Sequence, residues 1–158
     1  MATFEMSKIL YITEKVMTLE EKRAWIRLVV AVAAYGGYVV VVLGRAAGRP
    51  LAEAPYAAAL LWSVGAAIVA AIVAEVVAGA VNPKASRAKD VRDREIGRLG
   101  DHVGQSFVTI GAVAAMLMAV AGWDRFWIAN VIYLCFALSA VLGNVTKVIV
   151  YRGSFPQW

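Results

Sequence analysis

Apolar and polar positions do not alternate along this chain at short range. They separate into four long apolar blocks, at 25–43, 57–80, 107–122 and 127–150, divided by short stretches rich in charge, glycine or proline. A helix needs about 20 residues to cross a hydrocarbon core, and three of the blocks have roughly that length. The third reaches it once the flanking turn from Gly104 is counted. The pattern predicts an all-α integral membrane protein of four transmembrane helices, over 25–43, 57–80, 104–122 and 127–150.

The punctuation between blocks agrees with this. Thr18 and Glu21 have the capping-box spacing, so a helix should begin there and run into the first span. Pro50 and Pro55 bound a short loop, and Asn82-Pro83 stops the second span. The stretch GWDRFW at 122–127 reads as a turn whose Trp123, Phe126 and Trp127 suit the headgroup region, which makes spans three and four a tight hairpin. Small residues recur at intervals of four, as Ser63, Ala67 and Ala71 and as Gly111, Ala115 and Ala119. Gly36, Gly37 and the Gly44/Gly48 pair add further small sites in span one. Lipid gives no hydrophobic drive for helix association, so such faces act by letting backbones approach. They predict close packing and a homo-oligomer. No internal repeat is evident, which argues against an inverted-repeat transporter.

Composition sharpens the class: 61% of residues are hydrophobic and 17% charged, against about 25% charged in soluble domains. Thirteen of the 16 basic residues fall on one side of the predicted spans: Lys8, Lys15, Lys22, Arg23 and Arg27, then Lys84, Arg87, Lys89, Arg92, Arg94 and Arg98, then Lys147 and Arg152. Arg45, Arg49 and Arg125 occupy the other. The positive-inside rule then predicts a multi-pass protein of a prokaryotic cytoplasmic (inner) membrane with both termini cytoplasmic. The net charge of +5 needs no nucleic acid to explain it. Residues 1–24 form a cytoplasmic segment ahead of a membrane domain at 25–158. Ile9, Ile12, Val16 and Leu19 fit either an amphipathic surface helix or a mobile leader ahead of a start at Met17. The AEA at 52–54 resembles a signal cleavage site, but the apolar block before it exceeds the usual h-region of roughly 7 to 15 residues.

Chemistry is sparse. There is no nucleophile beside a base, no histidine cluster and no phosphate-cradling glycine loop, so neither an enzyme nor a cofactor is expected. Cys135 is the single cysteine and reads as packing. The sharpest feature is Glu75, inside span two; a carboxylate there should be paired, protonated or facing water. Lys147 of span four is the expected partner, unless both simply reach the headgroups or Glu75 serves a proton or ion path. Asn130 and Asn144 share one side of span four, where they could line a polar groove or act as glue between helices.

The densest charge is DVRDREIGRLGDH, residues 90–102. At helical period its acids and bases answer one another: Arg87 with Asp90, Arg92 with Glu95, Asp90 with Arg94, Lys89 with Asp93, Arg98 with Asp101. Ile96, Leu99, Val103 and Phe107 then form an apolar stripe beside Gly97, Gly100 and Gly104. The run is expected to be a cytoplasmic extension of helix three. Asp90, Arg92, Asp93, Arg94, Glu95, Ile96 and Leu99 would make a docking surface for a cytoplasmic regulatory protein.

DVRDREIGRLGDHVGQSF, with FWIANVIYL and the terminal KVIVYRG, resembles a family of small prokaryotic membrane proteins, domain of unknown function 2178. The resemblance covers residues 87–153, with Val91 where the family has an acid. It implies a companion of helix-turn-helix regulators with a regulatory or envelope role. The expectation is therefore a non-enzymatic, oligomeric interaction protein in the lipid bilayer. Its rival is a small oligomeric channel or transporter with Glu75, Asn144 and Lys147 in its polar path.

Overall fold

The computed structural model describes residues 19–81 and 91–152, with the side chains of residues 19, 81, 91 and 92 left aside. Within them the chain is four long helices: α1 (Leu19–Ala46), α2 (Ala57–Val81), α3 (Val91–Val120) and α4 (Arg125–Arg152). No strand occurs among the described residues. All four are long and apolar enough to cross a membrane. The segment 1–18, including Thr18 of the expected cap, the stop at 82–83 and Asp90 lie outside the described residues.

Two turns show why the helices end where they do. Past Ala46 the Arg49 amide bonds back to the Ala46 carbonyl at 2.8 Å. Pro50 then opens a single 3-10 turn, Leu51–Glu53, and Arg45 donates to the Pro55 carbonyl at 3.0 Å. At the other hairpin, Gly122 takes φ 72°, a left-handed conformation that side chains disfavour. Its amide reaches Ala119 O at 3.2 Å and that of Trp123 reaches Met118 O at 3.0 Å, the Schellman pattern that satisfies a helix's last carbonyls. Asp124 caps the next helix by accepting from the Phe126 amide at 2.7 Å. The expected hairpin is therefore present, closed by a C-cap and an N-cap in immediate succession.

The helices pack in the order α2, α1, α4, α3, with the α3/α4 contact the most extensive. That contact is made of backbone. A Cβ at Gly100 would lie 2.6 Å from the Gly143 carbonyl, and one at Gly104 would lie 2.9 Å from that of Ser139. Gly111 instead makes room for the Cys135 side chain. Small residues here give the dispersion contacts that hold helices together in lipid. Gly36, Gly37, Gly44 and Gly97, expected to serve the same purpose, meet nothing within 4 Å. They lie off the lines along which the helices touch.

The core proper is small: Tyr38 and Val42 of α1 with Phe126 and Tyr133 of α4. None of the most apolar 18 residues of α2 is buried within the protein. Leu61, Trp62, Val69, Ile72 and Val76 are exposed, while Ser63, Ala67 and Ala71 on the small face are partly covered. Water would make such a surface untenable, whereas lipid makes it the proper exterior.

Candidate functional site: an ionic layer at the basic end

Polar side chains gather at the end of the molecule that carries most of the lysine and arginine. Arg27 of α1 donates to Glu75 of α2, and Arg23 Nε stands 3.8 Å from the other Glu75 oxygen. Glu21 of α1, only 7% exposed, accepts from Arg152 Nε of α4 at 2.9 Å. The Arg152 guanidinium also lies 5.4 Å from the centre of the Trp25 ring, within cation–π range. Between α4 and α3, Tyr151 donates to Asp93 at 3.0 Å and Lys147 Nζ bonds Asp101 Oδ1 at 2.7 Å. Each neighbouring pair in the row is thus joined here by at least one polar contact, in the same order as the packing.

The expected ion pair between Glu75 and Lys147 is not formed. Glu75 belongs to α2, which packs on α1, so the cations within reach are Arg27 and Arg23. Lys147 looks toward α3, where it takes Asp101, the acid that helical spacing had assigned to Arg98. Spacing along one helix sees only intrahelical partners, and a partner across an interface won.

Helix three, including most of the charged run, is one continuous helix, Val91–Val120. Its contact line runs through Ile96, 4% exposed, Gly100, Gly104 and Gly111, and not through Leu99, which is 46% exposed. The reason is geometric: α4 approaches the backbone, so the glycines set the rotation of the helix. Arg94, Glu95, Arg98, Asp101 and His102 are exposed, and Asp93 is half-buried beneath Tyr151. Arg92 lies in the helix, its side chain outside the description.

The two asparagines of α4 have separate settings. Fourteen residues at about 1.5 Å rise put them roughly 21 Å apart along the helix, too far for one groove. Asn130 donates to the Phe126 carbonyl at 2.8 Å and accepts from Tyr38 at 2.7 Å, which makes it glue between α4 and α1. Nearby, Ser63 Oγ bonds the Ala34 carbonyl at 2.8 Å and Tyr133 at 2.6 Å. A hydroxyl has one hydrogen, and Ser63 spends its own on Ala34, so Tyr133 is the donor to Ser63. Tyr133 also meets Tyr35 and Tyr38 edge-on at 5.3 and 5.1 Å. Reading Ser63 as merely small had concealed this link from α2 to both α1 and α4. Its signal was a hydroxyl in an otherwise alanine-rich face.

Asn144 sits instead beside the ionic layer. It is 8% exposed, its Nδ2 donates to the Ala140 carbonyl at 2.7 Å, and its Oδ1 has no hydrogen-bond partner among the described residues. It lines a cleft of about 370 Å³ between α1, α3 and α4, together with Arg27, Asp101, Ser139 and Lys147. Among the described residues no three His, Cys, Asp or Glu side chains are grouped to hold a metal.

Fold and layer together define a class: a small multi-pass helical membrane protein with its charges linked at one end. Beyond that class, no family model, no curated protein and no solved structure matches the chain.

Proposed function

We propose that the protein is a non-enzymatic interaction protein of a prokaryotic inner membrane, acting as a homo-oligomer, with the basic end and both termini cytoplasmic. The projecting end of α3 is its docking surface for a soluble regulatory protein. Kinship with the domain of unknown function 2178 family belongs to the same proposal.

The observation that carries this reading is the division of α3 into two sides. One is fixed, by Ile96, the Gly100 contact, and the Asp93 and Asp101 contacts to α4. The other presents Arg94, Glu95 and Arg98 around the exposed Leu99. A leucine ringed by charge on a rigid helix has the composition of a small docking site, an apolar anchor with a polar rim. The ion-path reading draws less support, because Glu75 is held between Arg27 and Arg23.

A photoreactive amino acid placed at Leu99 in cells tests the proposal. One defined adduct with a soluble protein, lost when Arg98→Glu is added while the membrane assembly keeps its mass, is the expected result. Glu75-dependent ion flux from reconstituted liposomes, with no such adduct, would overturn it in favour of a channel.

A further inference from the structure

The cleft beside the ionic layer has a depth, a charge and an unmet hydrogen-bonding group that together describe a ligand. Residue 147 is 22 positions from Arg125, and Arg27 is 18 from Arg45. At about 1.5 Å per residue these separations are roughly 33 and 27 Å, which bracket the thickness of a hydrocarbon core of about 30 Å. If Arg45 and Arg125 mark one face of the bilayer, the cleft opens at headgroup level on the other. It forms because α1 and α3 both pack on α4 and little on each other.

Two cations, Arg27 and Lys147, and one acid, Asp101, line it. Both cations are already engaged, but neither fully. Arg27 shares Glu75 with Arg23, and a guanidinium has five N–H groups. Lys147 holds an acid whose side chain is 75% exposed, a pair that solvent weakens. The stem of Lys147 lies over Gly100, close enough that a Cβ there would strike it, so the ammonium can turn from Asp101 toward the cleft without leaving its groove. Asn144 adds what the cations lack: a buried acceptor, Oδ1, with no donor among the described residues. An unmet acceptor of this kind is costly unless a donor reaches it. A phosphate alone would satisfy the cations and leave Asn144 unmet.

We infer that this cleft binds the headgroup of an anionic phospholipid, a phosphodiester carrying a free hydroxyl, as in phosphatidylglycerol. The phosphate lies between Arg27 and Lys147, and a glycerol hydroxyl donates to Asn144 Oδ1 once that amide, shielded from solvent in this conformation, turns into the cleft. This assignment does not depend on the docking role of α3.

Native mass spectrometry of the full chain in detergent tests it, with phosphatidylglycerol, phosphatidylcholine and the free headgroup glycerophosphoglycerol as probes. Phosphatidylglycerol should be retained, and Lys147→Gln and Asn144→Ala should each weaken it by about tenfold, the scale of one charge-assisted or buried hydrogen bond. Equal retention of phosphatidylcholine would overturn the proposal, and free headgroup binding as tightly as the lipid would overturn its lipid source. Thermal unfolding of the unaltered protein gives a test that needs no variant to fold. Phosphatidylglycerol should raise its midpoint more than phosphatidylcholine does, and equal midpoints would reject the site.

Discussion

Glu75 owes its partner to a neighbour 48 positions earlier in the chain. Helical spacing could not supply Arg27, because the contact depends on α2 lying along α1, a fact of tertiary order. The two side chains are each 39% exposed, so solvent screening keeps the pair's contribution near 1 kcal/mol or below. Glu75→Gln should therefore lower stability slightly. The exchange Arg27→Glu with Glu75→Arg should recover most of the loss, read as the midpoint of unfolding in mixed micelles. A non-recovering exchange would show that Arg23, and not Arg27, carries the interaction. For the interhelical hydroxyls the expected effects are of similar size. Tyr133→Phe removes the donor to Ser63 and should cost about 0.6 kcal/mol, the mean for interhelical hydrogen bonds in membranes. Ser63→Ala should cost no less, since it removes the bond to Ala34 as well.

Among the elements, α3 and α4 behave as one unit because their glycines and small side chains bring the backbones together. Gly104→Leu would push a side chain into the Ser139 carbonyl and should destabilise by about 1 to 3 kcal/mol, the usual range for overpacking. Gly37→Leu, with open space around it, should stay within about 0.5 kcal/mol of the parent. The contrast bears on what the sequence could tell. Spacing of small residues along α3 correctly marked Gly104 and Gly111. The same criterion also marked Gly36, Gly44 and Gly97, where an added Cβ would meet nothing within 4 Å among the described residues. A small residue records that close approach is possible, and only a partner on the same face makes it real. The number of helices was legible for a firmer reason: in lipid every backbone group must bond within its own helix, so length and hydropathy nearly suffice. The cleft was not legible, since Arg27, Asp101 and Asn144 come from three helices and no local pattern joins them.

At the scale of the whole molecule, the order α2, α1, α4, α3 separates partners that hairpin connectivity alone would leave ambiguous. In a Cys135→Ala background, cysteines at 27 and 75 should crosslink readily in membranes, and cysteines at 75 and 147 should not. Efficient crosslinking of the second pair would mean that α2 packs against α4 and that the row is wrong. Helix α2 reaches α4 through the side-chain contact of Tyr133 to Ser63, and Tyr56 just ahead of it meets Phe126 at 5.0 Å, which leaves its backbone side to α1. Its remaining surface is apolar and suited to acyl chains or to a second copy of the protein.

The same order gives the molecule a mechanical polarity. Drawn out of the bilayer by its C-terminus, the chain gives up α4 first, and that one helix holds both α1 and the glycine seam of α3. A single dominant rupture should come at the outset, with little resistance after it. Drawn by its N-terminus, α1 leaves first and takes the support of α2 with it, while the α3/α4 hairpin stays whole and fails later on its own. The force needed to dismantle the protein therefore depends on which end is held.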